Sequence, residues 1–187
     1  GRTIRSRKCL ATDGSHDASS HQKIAKQPMS LTALLAPERI ALLADPGDRD
    51  DVLDAAARLL SAASSAQASG IAEALRERER ECCTAIGCGV AIPHARGHAF
   101  EQPRGAFLRL GHAVDFGNGD KPVDLVFALS VPEDAPELHL QALSELADHF
   151  SDAQFREALR SARDRPALCE VLLGESDSST TTAKTAR

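Results

Sequence analysis

Apolar residues follow two spacings along this chain, and the switch between them divides it. In DPGDRDDVLDAAARLLSAAS, residues 45–64, Val52, Leu53, Ala56, Leu59 and Leu60 recur at helical spacing behind a turn. Asp48, Asp50 and Asp51 crowd the start, where negative charge complements the positive end of a helix dipole. This predicts an amphipathic helix. Gly70 is expected to separate it from a second helix, IAEALRERERE, whose charge density turns its later residues toward water. Upstream, SLTALLAPERI reads as a short helical stretch broken at Pro37, and IALLAD, residues 40–45, as a strand or extended lead-in.

From Cys82 to about residue 132 the pattern shortens to strand-like pieces joined by glycine and proline: TAI, GVAI, GAFLRL and VDLVFALSV. The last is almost continuously apolar, as a strand buried on both faces must be, and so demands helices on both sides of its sheet. Helical spacing then returns three times, in PELHLQALSELADHF, DAQFREALRSARD and RPALCEVLL. The start signals are Asp134, Asp152 and Asp164 or Pro166. The expected fold is α/β (α+β in some schemes), a three-layer α/β/α sandwich with a mixed central sheet.

Composition narrows this without changing it. The 187 residues are 42% hydrophobic and 26% charged, with no Trp or Tyr, so one core of Leu, Ala, Val and Ile is expected. Residues 1–28 hold six Lys or Arg against two Asp and no sustained apolar period, and read as a disordered extension, upstream of the domain or appended to it. Residues 174–187, rich in Ser and Thr, read as a flexible tail, leaving 29–173 as the domain. Subtracting the +4 of the extension from the overall −5 leaves −9 on the remainder, which disfavours binding to nucleic acid. No run is apolar enough for a secretory signal or membrane insertion, so a cytoplasmic location is expected. An odd count of five cysteines, two of them adjacent, fits reduced thiols rather than a disulfide framework.

The candidate chemistry lies in TAIGCGVAIPHAR, residues 84–96. Gly87 and Gly89 permit backbone angles that a Cβ forbids, and Pro93 stiffens the chain directly before His94. Alone, this reads as a strand ending in a turn with a satisfied imidazole. Two other residues change the balance. Arg78, sixteen positions earlier near a helix end, can bring a guanidinium fork to the imidazole. His139 lies in the first turns of a helix, whose free N–H groups favour an anion. Imidazole, guanidinium and helix start together suit a transient phosphoryl group, because neutral imidazole is a nucleophile whose phosphoramidate is easily passed on.

The run from Thr84 to His94 resembles the active-site signature of the type-2 enzyme IIA domains of the bacterial phosphotransferase system, the fructose, mannitol and nitrogen group. The resemblance extends over roughly residues 30–173, through LTALLAPERI, PVDLVFALSVP and HLQALSELA. It implies that His94 accepts a phosphoryl group, that Arg78 neutralises phosphate charge and that His139 orients the phosphorylated ring. It implies a phosphorylated HPr-like carrier as donor and regulatory proteins as targets, with no cofactor. Members commonly carry Asn between the two glycines and Gly after the histidine, where this chain has Cys88 and Ala95. Within the group the stand-alone nitrogen-regulatory protein is the expectation, since no IIB or IIC portion accompanies the domain; a lone fructose-type IIA component would look the same.

Two readings from other classes remain open at this stage. Cys82, Cys83, Cys88, His94 and His98 fall within seventeen residues and could make a metal or thiol sensor, since Cys and His are zinc ligands, although no CxxC pair occurs and adjacent cysteines chelate one tetrahedral ion poorly. A domain that keeps the fold but only binds partners is the other. Cys169 reads as core; His98 and His112 read as solvated, and His149 as a cation near a helix C-terminus. Glu79 and Glu81, within the charged run RERERE, have no surroundings that suggest acid–base work.

Overall fold

The computed structural model describes residues 30–61, 65–97, 102–117 and 121–174. The expected extension over residues 1–28, His98 and all of the tail beyond Gly174 lie outside the described residues. A helical turn α1 (Leu31–Leu34) and a 3-10 turn (Pro37–Arg39) lead into β1 (Ile40–Leu43). Helices α2 (Arg49–Leu60) and α3 (Ser65–Glu81) follow, then β2 (Ala85–Gly87), β3 (Val90–Ala91), β4 (His94–Gly97), β5 (Arg104–Val114) and β6 (Val123–Pro132). Helices α4 (Pro136–Ser151), α5 (Ala153–Ser161) and α6 (Arg165–Leu173) close the fold.

Strand β6 is the floor of the site. It runs antiparallel to β5, which in turn pairs in parallel with β1. The opposite edge of β6 is shared by two short strands laid end to end: β3 pairs with Leu125 and Val126, and β4 with Leu129 to Pro132, both in parallel. The sheet is therefore mixed and six-stranded, with β2 antiparallel outside β3. Pro93 sits in the gap between β3 and β4, where its missing N–H forfeits no ladder bond, and its carbonyl accepts from the Leu129 N–H at 2.9 Å. Sequence reasoning anticipated every strand except β4, whose HARG has no apolar alternation; parallel pairing to β6 creates it.

The near-continuous apolar run of β6 is explained by its two faces. Val126 and Ala128 join Val52, Leu53, Leu60, Ile71 and Leu75 of α2 and α3 in one core. Leu125, Phe127 and Leu129 join Leu146, Phe150, Leu159 and Leu168 of α4, α5 and α6 in another. Each buried large side chain contributes roughly 1.5–3 kcal/mol. The three expected layers are present, with α2 and α3 on one face and α1, α4, α5 and α6 on the other.

Several helix signals act as the sequence indicates. Asp48 and Asp51 form a reciprocal capping box on α2, while Asp152 and Asp164 cap α5 and α6. Two expectations need correction. Helix α3 runs through Gly70 rather than starting after it, because that glycine is exposed and no neighbour lies within 4 Å of a Cβ built there. At α4 the N-cap is Ala135, without a side-chain cap, and Asp134 falls in the preceding turn; Pro136 begins the helix with its fixed φ.

These two glycine environments predict opposite outcomes. Gly70→Ala should raise stability by about 0.5–1 kcal/mol, since alanine suits an exposed helix interior better. Gly89 has φ +78°, and an added Cβ would stand 2.6 Å from Asp124 Oδ1 and 2.7 Å from Arg160 Nη2. Gly89→Ala should therefore lower stability by about 1–3 kcal/mol. Urea denaturation midpoints of the two variants against the parent chain check both signs.

Candidate functional site

His94 opens β4, the strand whose outer edge carries no further strand among the described residues. That free edge lets helices from opposite layers meet over one side chain. Arg78, in the last turn of α3, comes from one face of the sheet, and His139, in the second turn of α4, from the other. Together with Glu77, Glu81 and Arg96 they line a cleft of about 180 Å³. The three residues expected from sequence are thus brought together.

Both nitrogens of His94 are held. Nδ1 lies 2.8 Å from the Ile92 carbonyl, which can only accept, so Nδ1 carries the proton. Nε2 lies 3.0 Å from Arg78 Nε, which can only donate, so Nε2 presents its lone pair. One neutral tautomer satisfies both contacts. Arg78 is itself braced, its Nη1 donating to the Cys82 carbonyl at 2.8 Å beyond the end of α3. The His139 ring meets that of His94 edge-on, with centroids 4.9 Å apart. The buried Nδ1 of His139 has no hydrogen-bond partner among the described residues, a deficit that ordinarily costs about 1–3 kcal/mol.

The electrostatics favour neutral rings. Burial pushes the His94 pKa below its usual value, reinforced by Arg78 and opposed by the bond to the Ile92 carbonyl. His139 is lowered to about 4, first by burial and then by His94, Arg96 and Arg78. An uncharged imidazole facing a guanidinium is a nucleophile beside a fixed positive charge. Such a pair suits attack on an electrophile that brings negative charge, and suits a phosphoryl group above all.

The glycine loop before His94 is pinned from below. Gly87, Cys88 and Gly89 all have positive φ, with Cys88 at 55°. Arg160 of α5 forms a two-pronged ion pair with Asp124, at 2.7 and 2.8 Å, and its Nη2 also donates to the Cys88 carbonyl at 2.6 Å. Sequence reasoning missed Arg160 and Arg96, for which no periodic signal exists. It also placed RERERE, Arg78 apart, on a solvated helix face, whereas Glu79 is 3% exposed. A signal for that was present: Ile71, Leu75 and Glu79 recur every fourth residue, so Glu79 continues the core stripe.

The remaining histidines and cysteines gather elsewhere. His112 is exposed on β5, 3.3 Å from Asp45, and His149 lies in the last turn of α4. Cys82 and Cys88 are exposed, Cys83 Sγ lies 3.4 Å from the Phe116 carbonyl, and Cys169 packs on the α4–α6 core. Among the described residues no three His, Cys, Asp or Glu side chains converge as a metal site needs. None of their helices is long and apolar enough to cross a membrane.

The lowered His139 pKa has a definite consequence for stability. Between its ordinary 6.5 and about 4, the folded chain binds fewer protons at this ring than the unfolded chain does. Stability should therefore be unaffected by this group above pH 6.5 and fall as pH drops through that window, with His94 adding in the same direction. Urea midpoints at pH 7 and pH 4.5 for the parent and for His139→Gln check this, the loss on acidification being smaller in the variant.

Comparison with known proteins places the chain in a family. Residues 33–174 match the family described as phosphoenolpyruvate-dependent sugar phosphotransferase system, EIIA 2. A nitrogen regulatory protein of Bradyrhizobium diazoefficiens is 37% identical over 145 residues, covering 77% of this chain and 95% of its own. The fructose-specific EIIA component of Haloferax volcanii is 40% identical over 101 residues, covering 54% of this chain and 66% of its own. The crystal structure of the nitrogen regulatory protein IIA-Ntr from Neisseria meningitidis superposes with a TM-score of 0.68 at 35% identity, over 76% of this chain and 98% of its own. A domain match of this extent, on a fold shared with IIA-Ntr and around a cleft that joins histidine to arginine, makes this chain a member of the EIIA 2 family of the phosphotransferase system.

Proposed function

We propose that this chain is a phosphohistidine phosphocarrier of the nitrogen-regulatory kind, which accepts a phosphoryl group on His94 from a phosphorylated HPr-like protein. The observation that carries this is the lone pair of His94 Nε2, aimed at Arg78 in an open cleft while Nδ1–H is bound to the Ile92 carbonyl. The regulatory assignment is supported by relatives named as nitrogen regulatory proteins that this chain matches along nearly their full length.

The transfer follows from the tautomer. Nε2 attacks phosphorus; its N–P bond forms as the donor's N–P bond breaks, and that electron pair returns to the donor imidazole. The proton stays on Nδ1, hydrogen-bonded to the Ile92 carbonyl, so the ring is held in place throughout. Arg78 exchanges its contact with the Nε2 lone pair for contacts with phosphoryl oxygens, and Arg96 adds a second positive charge at the rim. His139 flanks the phosphorylated ring and orients it. No cofactor enters these steps. The output is phosphorylation-dependent binding to regulatory proteins in the cytoplasm, with residues 29–173 as the working domain.

The 40% identity to a fructose-specific EIIA component supports a second reading, in which the phosphoryl group passes on to a sugar-transport partner. Restored growth on fructose in a strain lacking its fructose IIA would favour that route over regulation.

The assay is phosphoryl transfer from a phosphorylated HPr-like protein, read by intact mass without acid treatment. His94→Ala should abolish acceptance, and Arg78→Ala should slow it about 10²-fold while the thermal midpoint holds. Nitrogen-15 NMR of the phosphorylated protein should place the group on Nε2. Label taken up by His94→Ala would overturn the assignment, and a group on Nδ1 would overturn the mechanism.

A further inference from the structure

We infer that Glu79 is a positioning residue, setting where the His94 imidazole stands relative to Arg78. The inference rests on the phosphoryl-acceptor reading of His94 and starts from a cost. A carboxylate 3% exposed forfeits its hydration, a penalty of several kcal/mol unless both oxygens find donors. Both do, on one residue: Oε1 accepts the Thr84 N–H at 2.9 Å and Oε2 accepts the Thr84 hydroxyl at 2.5 Å. Thr84 is buried as well, at 6% exposed, so the grip is dry on both sides.

That grip closes a ring. The Thr84 carbonyl accepts the Ile92 N–H at 3.0 Å, and the Ile92 carbonyl accepts the His94 Nδ1–H at 2.8 Å. His94 Nε2 accepts from Arg78 at 3.0 Å, and Arg78 is the residue before Glu79 on α3. Every link fixes the next, so helix, loop and imidazole have one mutual arrangement. The chain reverses between α3 and β2 through Cys82 and Cys83, and Arg78 meets that turn at Cys82, its Nη1 donating to the Cys82 carbonyl and its own carbonyl accepting the Cys82 N–H. Glu79 is what ties the helix to the loop at Thr84. Without it, Arg78 would stay on its helix while the loop that carries Ile92 lost its register to that helix.

Reach, not charge, is what this role requires, and two substitutions separate them. Glu79→Gln keeps the length and an acceptor but loses the charge; Glu79→Asp keeps the charge but withdraws it by one methylene. In the full chain, the His94 tautomer is read by nitrogen-15 NMR before any phosphorylation. Phosphoryl acceptance from a phosphorylated HPr-like carrier is then resolved into kcat and KM. Glu79→Gln should hold the Nδ1–H tautomer and stay close to the parental rate. Glu79→Asp should mix the tautomers and lower kcat about 10²-fold at unchanged KM, the scale of an ångström misplacement. Thr84→Val, nearly isosteric and lacking only the hydroxyl donor, should fall between them and remains informative if Glu79→Asp does not fold. A normal Glu79→Asp beside an impaired Glu79→Gln would overturn the inference in favour of a charge effect. Parental tautomer and rate in folded Glu79→Asp or in Thr84→Val would overturn it outright. If the parent chain accepts no phosphoryl group at all, the functional reading fails, while the tautomer of the unphosphorylated variants still decides whether Glu79 sets the imidazole.

Discussion

A neutral imidazole can donate from one nitrogen and accept at the other, and the site is organised around which does which. The Ile92 carbonyl and the Arg78 guanidinium impose opposite demands on the two nitrogens of His94, and only one tautomer meets both. Burial lowers the pKa of the ring, and Arg78 adds to this because a protonated ring would set a cation against the guanidinium. The fold must therefore deliver a carbonyl two residues upstream and a guanidinium from another element to opposite sides of one ring. Much of the architecture is the means of doing so.

Strand β6 supplies the fixed reference. It is buried on both faces and paired along both edges, and its outer edge takes β3 and β4 in turn. At the break between them the Pro93 carbonyl is committed to the Leu129 N–H, while the Ile92 carbonyl receives the imidazole. Beyond β4 no strand covers the edge among the described residues, which lets α3 and α4, separated elsewhere by the sheet, both reach His94.

These features were unequally legible in the sequence. Helices on both faces of the sheet were visible in the apolar run of β6 and the helical spacings around it, because burial on a regular element leaves a period; the single core expected from length is instead divided by the sheet into two. His94, Arg78 and His139 were singled out through motif spacing and resemblance, and the fold brings their side chains to one cleft. What was hidden had no period or broke one. HARG becomes a strand only by pairing with β6, Arg160 reaches the loop from far along the chain, and Gly70 resembled a break but lies within α3 on an exposed helix face. Glu79 was misplaced for a different reason. Its charge was taken to mean water, while its position four residues after Leu75 meant the interior; position decided, because Thr84 supplies both donors the carboxylate needs.

The same geometry accounts for the two places where the sequence departs from the pattern it resembles. Cys88 has φ 55°, a region that Asn tolerates better than Cys, so the departure carries strain on the order of 1–2 kcal/mol. That strain is confined by Arg160, which holds the Cys88 carbonyl while locked to Asp124. Ala95 is 5% exposed and packs in the α2–α3 core, a methyl group placed where the core can bury it. Neither residue contributes an atom to the ring of hydrogen bonds that runs from Glu79 through Thr84 and Ile92 to His94 and Arg78. Both departures fall between its links, so the chain can vary there and still present the same imidazole nitrogen.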